Sequence, residues 1–234
     1  MERPVLLVGT AHVVDLADPL RRVLTGRDLQ GIALELDSER LEALLRGPGA
    51  GGGRSGVPFF VRLWGVIQQR LGQEIGSGAG AEMKAAAGLA REWEIPVFLI
   101  DDPIRETIVR LVRSLSFRER ILLVVGSIAG LFVPARVVKE QVAEYRESPG
   151  TMLEAMRTEF PGVTRVLLDD RNEHMADRLV EVRRRGYGRV AAVVGDAHVP
   201  GLGSALERRG VPVERVRFAE LVPTAPSPGS PRPS

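Results

Sequence analysis

The sequence has no cysteine, which excludes a disulfide framework and thiolate chemistry and fits a cytoplasmic setting. It also lacks an excess of charge: 32 basic and 30 acidic side chains leave a formal net charge of +2. That balance does not imply nucleic acid, and the pI of about 9.5 needs only a small surplus of arginine, without a basic patch. The start lacks the basic segment, apolar helix and small-residue cleavage site of a signal peptide. No apolar run reaches the roughly 20 residues that span a bilayer. The longest covers residues 121–133, between Arg118 to Arg120 and Arg136, and reads as a buried helix. There is no H-E-x-x-H either, but that motif belongs to helical zinc sites and its absence does not decide among the functional readings below. Hydrophobic residues at 44% and charged residues at 26% describe an ordinary globular protein, long enough to bury a sizeable core.

What the sequence does have is an echo. Val5-Leu6-Leu7-Val8-Gly9-Thr10-Ala11-His12 near the start is matched by Ala191-Ala192-Val193-Val194-Gly195-Asp196-Ala197-His198 near the end. Each copy is an apolar run of strand length followed by G-x-x-H. A buried strand reads as a continuous aliphatic run, so each histidine is expected just past the carboxyl end of a strand. Open α/β sheets place their ligands there. With 3 histidines in the chain, two at matched positions suggest one shared site, because imidazole ligates metals and moves protons near neutral pH.

The segments between the two copies alternate strand and helix. Strands are expected at residues 4–8, 31–36, 95–100, 189–194 and 213–218, and helices at 15–24, 39–45, 57–71, 81–93, 163–185 and 201–209. The pattern implies a central, largely parallel sheet with right-handed crossovers. Glu35 falls at the carboxyl end of the second strand, where Asp37 or Ser38 would cap the next helix. Residues 47–56 contain six glycines and read as a surface loop. The glycine-rich segment 76–80 resembles a phosphate loop, but it has neither a preceding strand nor a following Lys-Ser/Thr pair. Residues 104–160 read as a helical insertion, whose apolar surface suggests a homodimer. The α/β domain spans residues 1–222, and residues 223–234 form a Pro/Ser tail or linker that cannot fold alone.

The residues that carry the echo also carry a resemblance. The paired G-x-x-H motifs, Ala33-Leu34-Glu35-Leu36-Asp37 with Arg40, Gly80-Ala81-Glu82-Met83, Asp101-Asp102-Pro103-Ile104 with Thr107 and Arg110, and Asp170-Arg171-Asn172-Glu173 with Met175-Ala176 occur in an order that resembles the TraB, PrgY, GumN and Tiki group. The resemblance covers roughly residues 4–218. Many such proteins continue into a membrane-spanning region, so a membrane-anchored full-length context is one expectation. The family commonly shows Asp-Arg-Pro where this chain has Asp101-Asp102-Pro103, and tyrosine at the place of His174.

A catalytic metal site needs about three protein ligands and an open position for water. His12, Glu35 and His198 are the candidate ligands, and the resemblance to the Tiki branch implies the same residues for a metal-dependent peptidase. Two imidazoles and carboxylates suit manganese, cobalt, zinc or iron. Glu82, in the family's third motif and in the first turn of a helix, is the candidate fourth ligand or general base. Arg171 is the candidate for stabilising an oxyanion or holding a substrate carboxylate, with Asn172 beside it at the substrate. The chain is thus expected to be a metal-dependent hydrolase acting on a peptide. The alternative is a non-catalytic module that binds or sequesters a peptide, as the pheromone-inhibiting PrgY branch implies; a third reading is a regulatory domain whose motifs only shape the fold.

Bland readings stand beside these. Glu35 would pair with Arg40, Arg171 would join a solvated charge network, and Glu82 would only complement a helix dipole. Thr10 and Asp196 would organise their turns through hydrogen bonds to backbone amides. An open coordination position between the histidines and Glu35 favours the enzyme, and an arginine filling that space favours the binder.

Overall fold

The structure, a computed structural model, describes residues 3–11, 16–46, 80–119, 121–122 and 149–222. Five strands, β1 (Val5–Thr10), β2 (Gly31–Leu34), β3 (Val97–Leu99), β4 (Val190–Gly195) and β5 (Val213–Val216), form one sheet in the order β3-β2-β4-β1-β5. Every neighbouring pair runs parallel. The expected α/β class and the five expected strands are therefore present.

Side chains alternate across the sheet with period two. Val5, Leu7, Ala33, Val190, Ala192 and Val194 enter one core, and Leu6, Val8, Ile32, Leu34, Ala191 and Val193 enter the other. Both faces are covered, which is why the strands read as unbroken apolar runs. Helices α1 (Ala17–Leu24) and α3 (Ala81–Glu92) fill the second core through Leu16, Leu20, Leu24, Met83, Ala86 and Leu89. Fully burying each leucine contributes about 1.5–3 kcal/mol.

Between β2 and α3 lies α2 (Ser38–Arg46), and after β3 come α4 (Ile104–Ser114) and α5 (Pro149–Glu159). Asp37 is the cap that the sequence suggested for α2, since its Oδ1 accepts the Arg40 N–H at 2.8 Å. Its Oδ2 also accepts the Ile104 N–H at 3.1 Å, so one carboxylate holds the first turns of α2 and α4. Pro103 is the non-helical residue that precedes α4.

The expected single helix over 163–185 is interrupted. Residues Pro161–Thr164 form α6, Arg165–Asp169 a π-helical turn, and Asp170–Arg184 α7, followed after β4 by a 3-10 turn (Asp196–His198) and α8 (Val199–Arg208). The chain ends its described part with α9 (Phe218–Leu221). Helices α7 and α8 cover the first core through Met175, Ala176, Leu179, Leu202, Ala205 and Leu206. Among the described residues no helix is long and apolar enough to cross a membrane. The expected helix at 57–71, the glycine-rich stretches at 47–56 and 76–79, the apolar run beyond residue 122 and the tail lie outside the described residues.

Candidate active site

After β1 the chain turns to α1 on one face of the sheet, and after the adjacent β4 it turns to α8 on the other. Two neighbouring strands whose continuations part to opposite faces open a crevice at their carboxyl ends, the usual ligand site of such sheets. Both G-x-x-H turns begin at its rim, since Thr10 pairs with Gly195 in the β1–β4 register. His12 follows Thr10 by two positions and lies outside the described residues. The Thr10 hydroxyl donates to the Val194 carbonyl at 3.1 Å, so it ties the two strands through a carbonyl and not through the expected amide.

Period-two alternation continues past the end of β2. Ile32, Leu34 and Leu36 point into the α1/α3 core, whereas Ala33 points into the α7/α8 core, and Glu35 shares the parity of Ala33. A carboxylate is thereby delivered to the α7 side of the crevice. Its Oε2 accepts the Gly195 N–H at 2.6 Å. Its Oε1 faces Nε2 of His198 at 3.2 Å and accepts from Nη2 of Arg171.

His198 is oriented from behind. Its Nδ1–H donates to the side-chain carbonyl of Asn172 at 2.8 Å, which gives Asn172 a role at the histidine ring. A neutral ring held this way turns the lone pair of Nε2 toward Glu35 Oε1, and two such atoms at 3.2 Å require a proton or a cation between them. Room for Asn172 comes from Gly201, where a Cβ would overlap its amide.

Arg171 occupies the centre of a chain of charges. Its Nε donates to Asp101 Oδ1 at 3.0 Å and its Nη2 to Asp101 Oδ2 at 2.7 Å as well as to Glu35. Its Nη1 donates at 3.0 Å to the Leu167 carbonyl, inside the π turn. Asp101 also accepts from Arg40, which reaches Asp37 at 2.9 Å. Glu35 thus pairs with Arg171 rather than with Arg40. The side chain of Arg171 is 13% exposed and that of Asp101 1%, so this is a buried network and not a solvated one.

Burial alone pushes the Glu35 carboxyl up. With a proton between the two groups, the charge of His198 and the hydrogen bond to it, with Arg171 and the Gly195 amide, outweigh that and hold Glu35 well below the usual carboxylate range. Burial likewise raises Asp101, and Arg171 and Arg40 together overcome it, so Asp101 is held low. For Arg171 burial acts downward, but Glu35 and Asp101 raise it above the ordinary arginine value.

A group held low in the native state binds fewer protons there than in the unfolded chain, whose aspartates titrate near about 3.9. The contribution of Asp101 is therefore complete above that pH and is lost as pH falls through its lower native value. Acid titration of stability is expected to be steeper below about pH 4 for the parent than for Asp101→Asn. Parallel curves would contradict the pairing.

Sequence reasoning passed over Asp101, although it stands past a strand end in the same way as Glu35 does. Nδ1 of His174, singled out in the sequence only as a departure from tyrosine, lies 3.1 Å from Asp102 Oδ1, and Arg110 reaches the other oxygen. Asp102 is thus held by two groups beside the main network. Asp196 accepts the Phe218 N–H at 2.8 Å and a two-pronged pair from Arg217 at 2.9 and 2.7 Å, so it ties its turn to the start of α9 and not to an amide of the turn itself. Glu82 is buried in the first turn of α3. That helix runs back along the sheet into β3, so Glu82 stands at the same strand-end edge, on the face opposite α7.

The structure brings Glu35, His198, Arg171 and Asn172 together. Among the described residues no group of three His, Cys, Asp or Glu side chains is set to hold a metal. The two candidate ligands that are described do fit one, because donors about 2.1 Å from a common ion lie about 3.0–3.4 Å apart and Glu35 Oε1 and His198 Nε2 stand at 3.2 Å. The carbonyl behind His198 is the usual support of a ligating imidazole.

Comparison with known proteins agrees with this arrangement of motifs. The uncharacterized protein MJ1365 of Methanocaldococcus jannaschii is 27% identical over 216 residues, which cover 88% of this chain and 54% of the relative. The chain therefore spans about half the length of the curated relative it matches. The TraB/PrgY/gumN family model matches residues 2–215. With the match running through both G-x-x-H turns and every strand but the last residue of β5, the chain belongs to the TraB/PrgY/gumN family.

Proposed function

We propose that this domain is a metal-dependent hydrolase acting on peptide bonds, working in the cytoplasm, with Glu35, His198 and His12 as the metal ligands. The observation that carries the reading is the facing of Glu35 Oε1 and His198 Nε2 at 3.2 Å, with Asn172 fixing the other ring nitrogen. When bound, a divalent ion supplies a water acidic enough to give hydroxide near neutral pH. Glu35 contributes one oxygen, while its other is fixed by the Gly195 amide. His198 is held in the tautomer that leaves Nε2 available. Arg171 uses its fork on Asp101 and Glu35, which makes it a positioning residue that keeps the carboxylate ionised and in place. Glu82 is the candidate base, and Asn172 supports the ring from behind.

A second reading rests on a specific observation. Arg171 Nη2 shares Glu35 Oε1 with His198, and a guanidinium on the ligand oxygen suits a module that binds a peptide without cleaving it. Metal analysis separates the two. The parent is expected to retain about one equivalent of a transition metal, lost in His198→Ala, Glu35→Gln and His12→Ala proteins that remain folded. Peptide cleavage would follow the metal. Folded parent protein that takes up no manganese, cobalt, zinc or iron on reconstitution would end the hydrolase reading and leave the binder.

A further inference from the structure

A second concavity, of about 680 Å³, lies at the opposite edge of the sheet, where the strands begin. Five arginines line it: Arg3 before β1, Arg189 before β4, Arg183 and Arg184 at the end of α7, and Arg209 just after α8. Gln30, before β2, completes the polar wall, and among the described residues no acidic side chain lines it. The chain as a whole carries a formal charge of only +2. This concentration of one sign is therefore local.

Part of it has a structural explanation. Arg209 reaches Glu173 at 2.7 Å and Asp177 at 2.8 Å, and Arg189 reaches the Asp28 carboxylate at 3.3 Å. Arg183 donates to the carbonyls of Arg3 at 2.9 Å and Gly188 at 3.0 Å. Cations in the last turn of α7 also offset its dipole. Arg184 is accounted for by that dipole alone, and Arg3 by none of these contacts. Both are exposed, and neither guanidinium forms an ion pair among the described residues. Arg3 and Arg189 belong to no helix, so the dipole does not explain why the strand entrances are basic too.

We propose that this cleft binds a small ligand carrying a phosphate or polyphosphate group, at a site separate from the candidate active site. Guanidinium forks on several walls can pair with the oxygens of a tetrahedral, multiply charged phosphate from more than one side, whereas a single carboxylate occupies one fork. The cleft volume falls within the roughly 300–1,000 Å³ of small-molecule sites. A basic concavity confined to one end of an otherwise charge-balanced chain favours a small anion over a nucleic acid, which would need an extended basic stripe.

The test is calorimetric titration of the intact chain with inorganic triphosphate at physiological ionic strength. The proposal expects saturable binding, weakened about tenfold or more in the Arg3→Ala/Arg184→Ala protein and unchanged in Glu35→Gln. The two arginines are exposed, so that variant keeps the fold, which circular dichroism would verify. It is overturned by an absence of saturable binding, by equal binding in the double variant, or by loss of binding in Glu35→Gln. Tighter binding of an oligonucleotide or of phosphatidylglycerol vesicles than of triphosphate would also overturn it, in favour of a macromolecular anion.

Discussion

Arg171→Met is expected to destabilise the protein by about 3–5 kcal/mol, because it leaves two buried carboxylates without their common cation. Asp101 and Glu35 are 1% and 12% exposed and both depend on Nη2 of Arg171. Methionine has a similar length, so the loss measures charge and hydrogen bonds more than packing. Urea unfolding should show the full shift in midpoint with an unchanged slope. Thermal unfolding should fall by about 6–20 °C, given about 2–4 °C per kcal/mol for a chain of this size. Arg171→Lys is expected to recover only part of the loss, since a single ammonium cannot reproduce the fork that spans both oxygens of Asp101. A loss under about 1 kcal/mol for Arg171→Met would show that the network contributes nothing net.

The second large effect concerns the two motif glycines, which look equivalent in the sequence and are not. A Cβ on Gly9 would overlap Asp196 Oδ1 and stand 2.9 Å from Val199 Cγ2 and 3.2 Å from the Asp196 Cα. Asp196 cannot swing away freely, because Arg217 and the Phe218 amide hold it. Gly9→Ala is therefore expected to cost about 1–3 kcal/mol as overpacking. A Cβ on Gly195 would meet Glu35 Oε2 at 3.4 Å and His198 Cδ2 at 3.7 Å, ordinary contact, and its φ of −58° suits any residue. Gly195→Ala is expected to cost well under 1 kcal/mol. Equal losses in chemical denaturation would refute the steric account.

The sequence carried the sheet well because both faces are buried, which turns each strand into an apolar run with punctuation at its ends. It carried Glu35 for the same reason: the period of two extends one residue past the strand and fixes the side on which the carboxylate emerges. Long-range pairings were less legible. Arg40 stands five residues from Glu35 and seemed its natural partner, but the crossover brings Arg171, 136 positions away, to that oxygen. Asp101 was not legible because its neighbour Asp102, which stands against the arginine of the family resemblance, is equally acidic. That aspartate in turn meets His174, in place of the family's tyrosine. Positions 102 and 174, noted separately in the sequence, are one contact in the fold.

The π turn at Arg165–Asp169 gives the helix one residue of slack. A π turn holds one residue more per turn than an α-helix and absorbs it locally, without turning the helix on either side. One residue lost there is expected to leave a regular α-helix with Arg171, Asn172 and His174 still facing the crevice. A second loss would have no such slack to draw on and would turn all three by about 100° around the axis.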